Sequence, residues 1–327
     1  MFQSMKIKGK RLIAFGVLLF LCGALAGCGY FTIMRVAEIS EIETAFNKIS
    51  TIALQMRMSQ GDFLTKDFKN EKFMESGQSK YVSNMRMLAA VQDSIISSLL
   101  ENKWSAKLDI REDLTSLKTN LEAYNNTFSK LAEAYKKRGI KDFGDEGELR
   151  AAVRAVEESD YKIDMVQLLT LRRIEKDFFL RKDMGYVEKF TSEITAFLDK
   201  IDNGGKGQEL KIKIATYEAK FNAMVKDEET IGLTEKLGLM GEMGNNIYNA
   251  EPIIEKLERL SNARYREIVF QTILTFALIS LIELIVGFVL AIKFSKSLNS
   301  NIQYVRSAAI KLSEKIIPEQ LEIKTQR

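Results

Sequence analysis

The sequence predicts an all-α protein: two stacked antiparallel helical bundles outside the membrane, flanked by two transmembrane helices. Three observations carry that prediction. Only two prolines occur in 327 residues, while Leu, Glu, Lys, Ala and Ile are abundant, which suits long helices rather than turn-rich sheets. Two apolar runs are each long enough to cross a bilayer. Between them, apolar residues recur at alternating intervals of three and four, the period of packed helices.

The first run, Leu12 to Met34, holds no charged residue, and its 23 residues cover roughly 34 Å against a bilayer core of about 30 Å. The second, Ile268 to Ile292, is interrupted only by Gln271 and Glu283. Lys6, Lys8, Lys10 and Arg11 precede the first run without an acid, and Lys293 and Lys296 follow the second. The positive-inside rule therefore expects an inner-membrane, two-pass protein with both termini cytoplasmic. Residues 1–11 form the cytoplasmic N-terminus, 12–34 the first span, 35–267 a periplasmic domain, 268–292 the second span and 293–327 a cytoplasmic tail. Residues 35–267 carry a net charge of −3, which offers no basic face to nucleic acid. Leu25-Ala26-Gly27-Cys28 also has the form of a lipoprotein cleavage site, with Cys28 as the lipidated residue. The apolar stretch continues past it through Tyr30, Phe31 and Met34 into helical periodicity, which favours a membrane helix packed through small residues.

Along the outer domain, Ile39, Ile42, Phe46, Ile49, Ala53, Met56, Gln60 and Phe63 mark a first helix leading out of the span. A break near Glu75, Ser76 and Gly77 precedes a second helix with Tyr81, Met85, Leu88, Val91, Ile95 and Leu99 on one face. The third carries Leu114, Leu117, Leu121, Tyr124, Phe128, Leu131 and Tyr135 and stops at Gly139. The stretch Gly139 to Gly147 is the predicted joint between two halves. A long fourth helix is expected through Val153, Val156, Met165, Leu168 and Phe178, bending at Asp183-Met184-Gly185 before Tyr186, Phe190 and Ile194. After the turn Asn203 to Gly207, a fifth presents Leu210, Ile214, Tyr217 and Phe221. A sixth begins near Thr230 and passes Pro252, a kink site, into the second span. A single bundle would leave two amphipathic faces uncovered, so six helices fit two bundles.

No histidine is present, which removes His-based triads, His metal sites and a phospho-accepting His. Both cysteines, Cys22 and Cys28, lie in the first apolar run, so no disulfide or thiolate cluster is expected elsewhere. No nucleophile and base pair or Gly-rich phosphate loop stands out. The expectation is a protein that is not an enzyme and needs no cofactor or metal.

Arg57 to Lys66 (RMSQGDFLTK) aligns with Arg172 to Arg181 (RRIEKDFFLR), an internal repeat at an offset of 115 residues. The stretch Leu171 to Phe190, LRRIEKDFFLRKDMGYVEKF, resembles the signature of the helical bimodular sensor domain found outside the membrane in bacterial chemoreceptors and sensor kinases. That resemblance, taken with the topology, covers Arg35 to Glu267. It implies two stacked bundles that bind a small organic acid or a periplasmic binding-protein partner. By the family pattern, Arg57, Arg172 and Arg173 are the expected ligand contacts, since a guanidinium suits bidentate recognition of a carboxylate. The competing reading pairs these arginines with Glu175, Asp177 or Asp62 as structural ion pairs. Glu283, costly inside a span, is expected either to hydrogen-bond a neighbouring helix or to bias the signalling motion of the second span.

Beyond the second span, Leu298, Ile302, Val305, Ala309, Leu312 and Ile316 continue the coiled-coil spacing before Pro318-Glu319 and the alternating Leu321 and Ile323. This resembles the first helix and connector of a HAMP linker, with Ser297-Leu298-Asn299 where a proline usually stands. The chain is expected to stop before the second HAMP helix and any output module. The sequence thus points to a homodimeric transmembrane receptor of the chemotaxis type. A sensor module of a histidine kinase or cyclase, or a structural adaptor that senses nothing, are the alternatives.

Overall fold

The computed structural model describes residues 7–313, and its elements follow from the spacing of apolar residues. Ten α-helices are present among them: α1 (Ile7–Asp62), α2 (Glu71–Ser76), α3 (Lys80–Glu101), α4 (Lys103–Lys107), α5 (Arg111–Arg138), α6 (Gly144–Glu157), α7 (Met165–Arg181), α8 (Gly185–Leu198), α9 (Gly205–Ile231) and α10 (Gly238–Ser313). One π-helical turn, Phe63–Asp67, extends α1, and no strand occurs among the described residues. Lys6, Ile316, Pro318-Glu319, Leu321 and Ile323 lie outside the described residues.

The chain separates into two bodies, residues 44–260 and the flanking segments on either side. Residues 44–260 hold two cores. Met56, Phe63, Met85 and Phe128 meet Met243 where α1, α3, α5 and the start of α10 pack together. Val156, Phe178, Phe190 and Phe221 form the second core inside α6, α7, α8 and α9. Each core has an aromatic centre. Phe63 lies edge-on to Phe73 and Phe128 at centroid distances of 5.3 and 5.5 Å, while Phe178 lies edge-on to Phe221 at 5.7 Å. Phe63 and Phe178 are the two phenylalanines that the 115-residue repeat aligns, and both are fully buried. The correspondence extends further than the sequence repeat. The Tyr124 hydroxyl donates to Gln60 Oε1 at 2.6 Å, and the Tyr217 hydroxyl donates to Glu175 Oε2 at 2.7 Å.

Several expected elements differ. The long fourth helix is two helices, α6 and α7, separated at Glu158 to Asp164. Asp164 caps α7 by accepting from the backbone N–H groups of Val166 and Gln167, which fixes a fresh helix start. The predicted bend at Asp183-Met184-Gly185 is a full reversal, because Lys200 beyond the end of α8 donates to Gln167 near the start of α7 at 3.1 Å. The sixth helix begins at Gly238, and α9 continues through Thr230 to Ile231. In α3 the buried face runs through Val82, Gln92 and Ile96, leaving Val91 exposed, because Gln92 Nε2 donates to the Ile49 carbonyl at 3.2 Å and draws its side chain into the core. Pro252 stands inside α10.

The chain passes between the two bundles twice, first from α5 to α6 and then from α9 to α10. Each passage turns on a glycine that no other residue replaces cheaply. Gly139 has φ +72° and ψ −178°, a glycine-only region, and a Cβ there would strike the Phe143 carbonyl. Gly232 has φ +128°, and its Cβ would strike the Leu237 carbonyl.

In the other body, described over 7–43 and 261–313, the two apolar segments run side by side. The Phe276 ring lies against Gly29, and Leu18 lies beside Gly287. α1 and α10 are the two helices long and apolar enough to cross a membrane, and Phe20, Phe31, Leu284 and Phe288 are each about two-thirds to three-quarters exposed. Such a surface does not suit water. Ile302 and Val305 of the expected cytoplasmic seam are exposed as well.

Replacing Gly139 or Gly232 by Ala is expected to destabilise the fold by on the order of 2–3 kcal/mol in denaturant unfolding followed by circular dichroism. Gly61→Ala, in α1 with open space around it, should instead stabilise by about 0.5–1 kcal/mol.

Candidate functional site

α5 ends on Lys136, Lys137 and Arg138, and α6 begins with Asp145 and Glu146 in its first turn. Each set of charges complements the dipole of its own helix. The tight passage through Gly139 and Gly144 brings the two sets together. Lys137 Nζ reaches Asp145 at 2.7 Å and Asp227 of α9 at 2.5 Å. Arg138 donates from Nε to Glu228 at 2.8 Å and from its terminal nitrogen to Glu146 at 3.0 Å. Lys182, held in a left-handed conformation at the end of α7, reaches the same Glu228 at 2.5 Å. One buried carboxylate is therefore shared by two cations drawn from α5 and α7.

Arg138, Glu146, Lys182 and Glu228 line an open cavity of about 670 Å³ at the level of the joint. Its apolar wall comes from Phe68, Tyr135, Ile140, Ile231, Leu233 and Met240, and its cations are Lys69, Arg138, Lys141 and Lys182. Glu146, Glu228 and Glu235 are the acids among its lining residues. Lys141 pairs with Glu71 at 2.6 Å. Burial pushes the Lys182 ammonium below its ordinary pKa even though Glu228 opposes the shift. Burial acts against the Arg138 guanidinium too, but Glu228 and Glu146 hold its pKa up. Beside them, burial lifts the Asp227 carboxyl to about 6, against the contact with Lys137, and the neighbouring Asp145 carboxylate adds to the rise. A concave site with an apolar wall and a few convergent charges is the kind that takes a small ligand.

The residues expected to contact a ligand are not brought together here. Arg57 is half exposed and bonds Glu251 of α10. Arg172 places its guanidinium on both oxygens of Glu175, at 3.1 and 2.9 Å. Glu175 is fully buried and also meets Lys176 at 2.9 Å and the Tyr217 hydroxyl, so two cations and one hydroxyl donor serve it. Arg173 is exposed to solvent. In the apolar pair, Glu283 Oε1 is buried and has no hydrogen-bond partner among the described residues.

Arg138, Lys182 and Glu228 were not singled out by the sequence. A signal was nevertheless present. Tyr124, Phe128, Leu131, Tyr135 and Arg138 are spaced 4, 3, 4, 3, as are Tyr217, Phe221, Met224, Glu228 and Ile231, so Arg138 and Glu228 occupy core positions of their helices. A charge written into an apolar seam is the mark of a buried pair or a site.

No family model matches the chain, and neither curated proteins nor solved structures give a match.

Arg172→Ala should lower stability by roughly 1–3 kcal/mol in denaturant unfolding, because it strips the main partner from a buried carboxylate. The Asp227 shift sets a pH dependence. Its folded pKa of about 6 lies above the ordinary 3.8, so its contribution is complete below about pH 4 and disappears as pH rises through about 6. Comparing melting temperatures from pH 4 to 7, Asp227→Asn should gain on the wild type as pH increases.

Proposed function

We propose that the chain is a two-pass membrane receptor whose residues 35–267 face the periplasm and bind a small carboxylate ligand at the joint between the two bundles. The carrying observation is that, in the joint cavity, Lys182 pairs with a carboxylate it has to share. Glu228 serves both Arg138 and Lys182, and Lys182 is held in a setting that disfavours its charge. An incoming carboxylate supplies the second anion that Lys182 lacks, while the apolar wall accepts the rest of a small organic acid.

The cavity is preferred to Arg57, Arg172 and Arg173 as the contact surface. Arg57 and Arg172 already have carboxylates from within the chain, and Arg173 stands in solvent. Two apolar helices and the basic residues beside them support the inner-membrane, two-pass topology with both termini cytoplasmic. The resemblance of Leu171 to Phe190 to the helical bimodular signature supports a receptor of the chemotaxis type, acting as a homodimer.

The signal follows from the connections of the site. The cavity wall includes Met240 in the first turn of α10, and that helix continues to Ser313 through the apolar segment. A ligand that binds one arrangement of the joint more tightly shifts the protein toward that arrangement and so moves the start of α10.

The full chain in detergent micelles, scanned by thermal unfolding against a panel of organic acids, tests this. One acid should raise stability by about 2.7 kcal/mol at a hundredfold excess over its Kd. Lys182→Met should abolish that gain, whereas Arg172→Ala should lower the baseline and keep it. A gain that survives Lys182→Met, or no gain with any acid, rejects the joint as the ligand site.

A further inference from the structure

Between the two apolar segments runs a groove of about 580 Å³, lined by Leu12, Phe15 and Leu18 of α1 and by Gly287, Leu290 and Phe294 of α10. No polar side chain lines it. Gly287 keeps it open, since a Cβ there would meet only Leu18, at 3.9 Å. Inside a bilayer such a groove takes hydrocarbon rather than water.

The end of the groove carries charge of one sign. Lys293 follows Leu290 by three positions and is its neighbour on the surface of α10, and Lys296 comes one turn later. Both lysines are exposed, and neither meets a carboxylate among the described residues. Lys8, Lys10 and Arg11 stand in the four residues before Leu12 in the sequence. No acid occurs in residues 1–37 or 284–313, so neither segment neutralises its own cations. A lysine stem lies along apolar surface while its ammonium reaches the headgroup layer.

We infer that this groove holds one anionic phospholipid, with an acyl chain between α1 and α10 and the phosphate against Lys293 and Lys296. The inference rests on the two-pass reading above, which puts these lysines at the cytoplasmic leaflet. A zwitterionic phospholipid has the same tail, but it brings a cation of its own to the basic end, so headgroup charge decides which lipid stays. A second copy of the chain is a poor cover. A two-fold contact along the groove would bring Lys293 and Lys296 of both copies together with no acid between them. The groove shares no residue with the joint cavity.

Native mass spectrometry of the full chain tests this, with the protein released from detergent that contains equal amounts of phosphatidylglycerol and phosphatidylcholine bearing identical tails. Each chain should retain one phosphatidylglycerol, at least tenfold in preference to phosphatidylcholine. Free glycerol phosphate in excess should not displace it, because the tail is part of what is bound. Replacing both lysines, Lys293→Gln with Lys296→Gln, should abolish the preference. Gly287→Leu, which fills the groove and leaves the charges alone, should cut retention at least tenfold, whereas Gly287→Ala should retain lipid as the wild type does. Equal retention of the two lipids by the wild type, an undiminished preference in the double lysine variant, wild-type retention in Gly287→Leu, or a dimer free of lipid overturns the inference. A fluorescent protein fused after Arg327, bright only in the cytoplasm, reads the topology separately. A dark fusion rejects the two-pass orientation and the cytoplasmic leaflet with it, whereas a bright fusion without lipid preference rejects the lipid site alone.

Discussion

A charge placed in the apolar seam of a helix has to be met by an opposite charge, or the helix cannot pack there. Arg138 and Glu228 meet this requirement for each other at 2.8 Å, and the rest of the joint is arranged around that contact. Glu146 brings in α6 and Lys182 brings in α7, so one pair of seam charges engages four helices at the level where both chain passages occur. The glycine turns are the geometric half of the same constraint. They let the backbone reverse its lateral position within a few residues, so that the end of α5 and the start of α6 present their charges to one another.

Glu175 follows the same rule inside the second bundle. It sits in the seam of α7 between Leu171 and Phe178, and Arg172, Lys176 and Tyr217 surround it. In the first bundle the equivalent position is Gln60, neutral and half buried, bonded to Tyr124. The two bundles therefore share a tyrosine facing a polar seam residue next to a buried phenylalanine, but only one of them carries a charge there. The bundle with the charge needs three partners where the other needs one.

Much of this was legible in the spacing of apolar residues. The seams of the first, third and fifth expected helices are buried almost residue for residue, and the connection between α5 and α6 falls at Gly139 to Phe143, the first half of the stretch expected as the joint. What escaped was every feature that depends on a polar residue occupying an apolar position. Gln92 displaced Val91 from the core of α3, and Arg138 and Glu228 continued seams that a search for apolar residues alone ends too early. The second passage, through Gly232, Gly238 and Gly241, repeats the glycine pattern of the first, yet it is hidden because Ile231, Leu233 and Leu237 keep the stretch apolar. The reversal between α7 and α8 looked like a bend because Lys182, a residue with no turn preference, takes the left-handed position where glycine usually stands.

The two passages also order events during synthesis. Residues 144–231 supply all four helices of one bundle from a continuous stretch, whereas the other draws on α1, α3 and α5 and then waits for α10. About a hundred residues separate Arg138 from Gly238, so at about 5–20 residues per second a nascent chain holds an open three-helix trough for roughly 5–20 s. During that interval Phe63, Met85 and Phe128 lack their fourth wall, and the contiguous bundle, rich in local contacts, has time to close first. The start of α10 is then the last strip of the two bundles to be laid down, against a surface already assembled.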